Sequence, residues 1–480
     1  MVTLVAGIDS STQSCKVVIR DAATGVLVRS GSAKHPEGTE VGPQAWWEAF
    51  LEAVKAAGGL DDVAAAAVGG QQHGMVVLDA AGQVIRDALL WNDTRSADAA
   101  AQLVEEHGGG ATGKAAWAQM VGSVPVPSLT VTKLRWLADA EPENAQRIAA
   151  VALPHDWLTW KISGSTDLSD LATDRSDASG TGYFCTATGQ YRYELLASAL
   201  RITEDDAEQI ILPRVAAANE SVGTGDSARG WGGIVLGPGG GDNAMGALGL
   251  GMGTGDVSVS IGTSGVVAAT SPQPVQDPSG MIAGFASATG EFLPLAVTLN
   301  GSRILDGTCR MLGVDHHQLA QLALAAEPGA NGLTMIPYLE GERTPNLPHA
   351  TGSFIGLSQA SMTPQDVARA AVEGLLCLLA EGLEAMTDMG VPVNSIQLIG
   401  GAAKNPAVQQ IAPAIFAREI QVPEPGEYVA DGAARQAAWV LSGTDAPPHW
   451  TASTTTTHTA EPTPHVRKRY AERRSLIAET

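Results

Sequence analysis

Gly239-Gly240-Gly241-Asp242-Asn243-Ala244-Met245-Gly246-Ala247-Leu248-Gly249-Leu250-Gly251 lies almost at the midpoint of the 480-residue chain and sets one carboxylate and one amide behind three glycines. The preceding Gly232-Gly233-Ile234-Val235-Leu236-Gly237-Pro238 reads as a short buried strand, which predicts that Asp242 stands where the strand stops and a small-residue helix, Asn243 to Leu250, begins. In an α/β fold such a junction presents a side chain to a cleft. An Asp at a helix start is equally a common cap, so this stretch alone leaves both roles open.

Toward the N-terminus, Val2 to Asp9 reads as a strand and Cys15 to Arg20 as its hairpin partner, joined by Ser10-Ser11-Thr12-Gln13-Ser14. Hydroxyl groups beside a strand-end Asp offer donors to phosphate oxygens and a carboxylate to a magnesium shell. The pattern returns as Asp256 to Ile261, Gly262-Thr263-Ser264-Gly265, then Val266 to Thr270. Two such hairpins point to an internal duplication, and two facing turns can clamp a polyphosphate where one cannot.

Between the hairpins, a strand at Ala64 to Val68 runs into Gly69-Gly70-Gln71-Gln72-His73-Gly74. Three hydrogen-bonding side chains bracketed by glycines suit a polar ligand better than packing. Leu90-Trp91-Asn92-Asp93 supplies a second polar strand end. Pro43 to Val54 has helical spacing with Trp47, Phe50, Leu51 and Val54 on a core face, and Leu129 to Leu137 and Pro154 to Lys161 read as further helices. His155 and Asp156 read as caps or packing polars, and Thr173 to Gly182 as an ordered loop near the cleft.

Beyond the midpoint, Thr363-Pro364-Gln365-Asp366 opens a long helix that stops at Gly390. Ser395 to Ile399 is a strand ending in Gly400-Gly401-Ala402-Ala403-Lys404-Asn405-Pro406. Asn405 as N-cap and Pro406 as first residue then start a helix to about Phe416. A glycine pair beside an electropositive helix start makes a nucleotide cradle. Thr444 to Pro464 reads as a Thr/Pro-rich linker or surface loop, and Val466 to Ile477 as a helix with a basic cluster.

A chain of this length predicts two or three domains. A net charge of −22 argues against a nucleic-acid partner, which needs basic neutralisation, while leaving room for a small phosphorylated ligand. Cys15, Cys185, Cys309 and Cys377 show neither disulfide nor zinc spacing. No run reaches the roughly 18 apolar residues of a membrane span, and Val2 to Ile8 is too short for a signal segment. These features place the protein in the cytoplasm, with no membrane partner.

Taken in order, the hairpins, the polar pocket, the central GGGDN and the Gly-Gly turn resemble the FGGY carbohydrate-kinase family of the actin-like ATPase superfamily, from Ile8 to about Gly443. Its signatures match Ser128-Leu129-Thr130 with Lys133, Leu134, Trp136 and Leu137, and Gly352 to Leu357 continuing to Asp366 and Glu373. Gly341-Glu342-Arg343-Thr344-Pro345 adds to the likeness. Gln72 and Glu340 depart from it, Met and a small residue being usual there, and the signature tail at Asp139-Ala140 is imperfect.

The resemblance implies an α/β fold of two ribonuclease H-like domains around a cleft, at 1–237 and 238–445, with 446–480 a linker and a helix docking on the first domain. It implies ATP and Mg²⁺ as cofactors, and γ-phosphoryl transfer to a ketopentose, D-xylulose first among those expected. Ribulose, ribitol, gluconate and glycerol are the alternatives, and a non-transferring actin-like ATPase or sugar sensor is the rival class. By the same resemblance Asp242 is the general base, and Asp9 organises the metal. Thr12, Lys16 and Thr263 hold phosphates, Gln72, His73, Asn243 and Asp93 hold the sugar, and Gly400, Gly401 and Asn405 contact the nucleoside. Sugar, ATP and a homodimer complete the expected partners.

Overall fold

A continuous apolar run, buried throughout, makes β1 (Leu4–Ser10), whose hairpin partner β2 (Ser14–Asp21) sets Asp9 opposite Lys16. β3 (Leu27–Lys34) extends the antiparallel edge. Helix α1 (Pro43–Ala56) buries Trp46, Trp47, Phe50 and Val54, and β4 (Val63–Gly70) then runs parallel to β1. These elements come from a computed structural model that describes residues 2–345, 347, 349–450 and 454–478.

The helices beyond β4 include α2 (Thr130–Ala140), α3 (Pro154–Ser163) and the one-turn α4 (Arg175–Ala178). The chain then adds β5 (Gly223–Thr224), β6 (Val235–Leu236) and β7 (Gly240–Gly241), completing a seven-stranded sheet ordered β5-β6-β4-β1-β2-β3, with β7 pairing β4. Helix α5 (Asp242–Gly249) comes directly after β7.

A second seven-stranded sheet repeats the plan. It comprises β8 (Asp256–Ile261), β9 (Gly265–Ala269), β10 (Ala283–Ala286), β11 (Phe292–Thr298), β12 (Ser395–Ile399), β13 (Ile420–Pro423) and β14 (Thr455–His458). Its order is β10-β11-β9-β8-β12-β13-β14. The runs β3-β2-β1-β4-β6 and β11-β9-β8-β12-β13 each hold three antiparallel strands followed by two parallel ones, which is the duplication read from the two hairpins.

Helix α6 (Pro364–Asp388) starts at a Thr363 cap and buries Ala371, Leu375, Leu378, Leu379, Leu383 and Met386 in the second core. Helix α7 (Pro406–Phe416) has Asn405 as its N-cap. Helix α8 (Tyr428–Ser442) leaves the second sheet and lies on the first, its wholly buried Ala430, Ala433, Ala434 and Ala437 packing in one core with Val5, Ala65 and Met245. The contact is backbone-close: a Cβ on Gly432 would stand 1.8 Å from the Met245 carbonyl oxygen.

Packing therefore divides the chain elsewhere than at 237/238. β7 is hydrogen-bonded into the first sheet, and both α5 and α8 belong to the first core. The Thr/Pro-rich stretch is corrected too: Thr455–His458 forms an edge strand antiparallel to β13, while residues 451–453 lie outside those described. Helix α9 (Pro464–Ala478) docks on the second lobe, not the first. Val466 and Tyr470 enter the second core, Arg473 donates to the carbonyls of Gly332 and Ile355, and Arg467 and Arg474 pair with Glu384 and Glu381 of α6. The basic cluster finds acidic partners there.

Candidate active site

β1 ends at Asp9 and Ser10 and α5 begins at Asp242, and both carboxylates line one cavity of about 480 Å³ between the sheets. Lys16, Asn243, Ser258, Ser260, Gly400 and Gly401 line it too, so both repeats contribute. The cap expectation for Asp242 is corrected. Gly241, extended at φ −66° and ψ 148°, is the N-cap, and Asp242 is the first helical residue. Its carboxylate is free to face the cavity, with Oδ1 accepting from the Asn243 N–H at 2.8 Å and from Asn243 Nδ2 at 3.0 Å.

Burial pushes the Asp242 carboxyl up to about 6, against the pull of the Asn243 N–H. Asp9 is pushed up to about 7, by burial first and by the charge of Asp242 second, with Lys16 opposing and Glu427 adding to the rise. Asp9 Oδ1 is buried without a hydrogen-bond partner. Two carboxylates in one cavity, the charge of one raising the other's cost of ionisation and one oxygen left orphaned, make a donor set that fits a hard divalent cation.

Gln72, His73 and Asp93 sit apart from this cavity's lining, all buried in the first lobe. Asn243 joins the two regions by donating to Gln72 Oε1 at 3.0 Å as well as to Asp242. His73 takes a left-handed backbone, φ 70°, and its Nδ1 lies 2.7 Å from the Gly180 carbonyl, which leaves Nε2 as an acceptor. Burial, then the cation of Lys133, holds its imidazole down to about 3, so the ring is neutral. Lys133 donates to the carbonyls of Pro127 and Ser128, and burial holds it down to about 7. Asp93 is already engaged by Thr39, at 2.7 Å, and by Arg95, at 2.9 Å; burial works against its ionisation, but these bonds outweigh it.

Lys16 enters the cavity paired with Glu427 at 2.5 Å. Thr12 and Thr263 are not among the lining residues. The Thr12 hydroxyl accepts from Trp91 Nε1 at 2.9 Å, and the Thr263 carbonyl accepts from Gly301. Gly401 has open space where a Cβ would stand. Asn405 spends Oδ1 on capping α7, while its buried Nδ2 has no partner. Gly401, Lys404 and Asn405 line an adjoining cavity of about 590 Å³ with Leu305, His316 and His317.

Lys404 and Glu427, to which no role is assigned above, also line the first cavity. Lys404 carries a signal, a cation three residues after the glycine pair. Glu427 repeats the strand, turn, helix grammar after β13.

These features define a two-lobed phosphotransferase, and the chain belongs to the FGGY family of carbohydrate kinases. The family's N-terminal domain matches residues 4–249 and its C-terminal domain residues 257–441. Among named relatives, the xylulose kinase of Streptomyces coelicolor is 44% identical over 452 residues, covering 92% of this chain and 89% of its own. The crystal structure of xylulose kinase from Bifidobacterium adolescentis superposes with a TM-score of 0.94 at 51% identity, covering 98% of this chain and 99% of that one. The fold is shared more widely: glycerol kinase from Plasmodium falciparum, 19% identical, reaches a TM-score of 0.84 over 100% of this chain and 98% of that one. Among the described residues no helix is long and apolar enough to cross a membrane.

Proposed function

We propose that the protein transfers the γ-phosphoryl group of ATP to D-xylulose, giving D-xylulose 5-phosphate, with Asp242 as general base. The observation that carries this reading is the line Gln72, Asn243, Asp242: an amide chain running from the buried Gln72 through the half-buried Asn243 ends on a carboxylate that shares one cavity with Asp9. Family membership and the names of the long-aligned relatives support the reaction and the sugar.

Gln72 and Asn243 hold the sugar, joined by the neutral His73, whose Nε2 accepts a sugar hydroxyl. Asp242 Oδ2 takes the proton of the attacking hydroxyl as its oxygen bonds to the γ-phosphorus and the bond to ADP breaks. A carboxyl near 6 is mostly ionised at neutral pH yet basic enough to accept that proton. Lys16, released from Glu427, and Lys404 pair with phosphate oxygens, while Thr12 and Thr263 offer hydroxyls from the two repeats. The nucleoside lies toward Gly400, Gly401 and the unpartnered Nδ2 of Asn405. Asp9, with its orphaned oxygen, would hold Mg²⁺, which would supply charge neutralisation for the phosphates of ATP. Asp93 supports the sugar wall through Thr39 and Arg95. Closure of the lobes excludes water that would otherwise accept the phosphoryl group. Four buried, free thiols suit a reducing cytoplasm.

The test is a panel of D-xylulose, ribulose, ribitol, gluconate and glycerol with ATP, read as ADP release. D-Xylulose is expected to give the highest kcat/KM. A higher value for any other acceptor refutes the sugar assignment, and ADP release independent of any sugar refutes the kinase reading.

A further inference from the structure

Behind the glycine run lies a charge cluster whose residues are not among those lining the two cavities described above. His155 and Asp156 open α3, and Asp174 and Asp177 flank and form α4; none is more than 3% exposed. His155 Nδ1 lies 2.6 Å from Asp177 Oδ2, and Nε2 lies 3.2 Å from both the Pro238 carbonyl oxygen and Asp156 Oδ1. The ring is hydrogen-bonded at Nδ1 to the Asp177 carboxylate and at Nε2 to the Pro238 carbonyl, an acceptor at each nitrogen, so both nitrogens donate and the ring is an imidazolium; Asp156 Oδ1 is a charge neighbour that takes no hydrogen bond from it. Burial opposes that charge, but Asp156, Asp177 and Asp174 outweigh it and raise the group to about 10. The spacing of His155, Asp156 and Asp177 would admit a metal ion, but both nitrogens are turned to partners within the protein.

The cap reading holds for Asp156, which accepts from the Leu153 N–H at the start of α3; what it lacks is the link from His155 to Asp177 and to the turn that leads to Asp242. That turn is held at three points from three elements. His155 of α3 bonds the Pro238 carbonyl. Gln436 of α8 takes both the N–H and the carbonyl of Gly239, each at 2.9 Å. Ser176 Oγ of α4 accepts from the Gly241 N–H at 3.1 Å. Gly239 sits at φ 74°, and a Cβ there would stand 2.7 Å from His155 Cδ2 and 2.4 Å from the Val68 carbonyl oxygen. These close approaches are to protein rather than to ligand. Packing alone gives no reason for such a cluster, since apolar residues of similar volume would avoid burying three carboxylates.

We propose that His155 is a positioning residue: clamped between Asp156 and Asp177, it holds the Pro238 carbonyl and thereby fixes where the Pro238–Asp242 turn presents the Asp242 carboxylate. Ser176 does the same from the far side of the turn. The proposal rests on Asp242 being the base, and its leverage is geometric, because a displacement of about 1 Å at a reacting group costs roughly 100-fold in rate.

The test compares His155→Gln, Ser176→Ala and the double variant His155→Gln/Asp177→Asn by steady-state kinetics on D-xylulose and ATP, with urea unfolding alongside. His155→Gln is expected to lower kcat roughly 30- to 100-fold with both KM values within about threefold, and Ser176→Ala roughly five- to tenfold. The double variant is expected to be no slower than His155→Gln, because it removes the carboxylate left unpaired. A kcat within about threefold of the unsubstituted enzyme in either single variant, or a loss carried by KM, overturns the proposal. If His155→Gln fails to fold, Ser176→Ala decides, since it strands no charge. Asp242→Asn is run in parallel: if it is dead while His155→Gln and Ser176→Ala are fully active, only the positioning role falls, whereas near-normal turnover by Asp242→Asn removes the base reading itself.

Discussion

Asp242→Asn keeps the size of the side chain and removes its capacity to accept a proton. The amide oxygen can still accept from the Asn243 N–H and Nδ2, the bonds that Oδ1 makes at 2.8 Å and 3.0 Å, so the start of α5 is preserved. What is lost is the general base, whose contribution is ordinarily about 10²- to 10⁴-fold. The new NH₂ group also turns a donor toward the sugar hydroxyl, disturbing the lone pair that attacks. Turnover is expected to fall by about three to four orders of magnitude, or roughly 4–5.5 kcal/mol of transition-state stabilisation. Binding should survive: the charge of Asp242 is the second largest influence raising Asp9, so its removal eases ionisation of Asp9. Both KM values are expected within about threefold. ADP formation coupled to NADH oxidation measures turnover, and circular dichroism checks the fold. A kcat within tenfold of the unsubstituted enzyme would refute the reasoning.

The pH dependence of kcat/KM for the sugar should show an acid limb. Asp242, raised to about 6 by burial, must be ionised to act, so the value is expected to fall about tenfold per pH unit below that point. A profile flat from pH 8 to pH 5 would count against a carboxylate base. Gly432→Ala should destabilise the fold, because its Cβ would meet the Met245 carbonyl oxygen at 1.8 Å. The overpacking costs about 1–3 kcal/mol or more, outweighing the ~1 kcal/mol that Ala gains over Gly in a helix. An unchanged urea midpoint would show that the contact between α5 and α8 relaxes freely.

Local grammar makes the strands, turns and caps legible. Strand, hydroxyl turn, strand appears at β1 and β2 and again at β8 and β9, and Thr363 and Asn405 cap the helices α6 and α7. The Asp242 junction is legible in place but not in detail. Gly241 takes the cap position, so the helix opens one residue early, a backbone choice that composition does not reveal. What escapes is tertiary. His155, Asp177 and Pro238 meet from three separate segments, and no local spacing announces a contact between them. Thr455–His458 becomes a strand because β13 offers it an edge; its β-branched threonines suit a strand, a signal masked by the Pro-rich sequence around them. The docking of α9 turns on Glu381 and Glu384, acidic residues that the charge of the whole chain conceals.

Helix α8 carries a consequence for synthesis. The first sheet is complete by Gly241, yet the helix that covers β1 and β4 begins at Tyr428. On a ribosome adding about 5–20 residues per second, the roughly 190 residues from the end of α5 to the end of α8 take about 10–40 s to appear. For that interval the nascent first lobe shows Val5, Ala65 and Met245 to solvent without the alanine face that seals them. A chaperone has that window in which to shield the sheet, and a premature stop anywhere in the second lobe before α8 releases a polypeptide whose first lobe never closes.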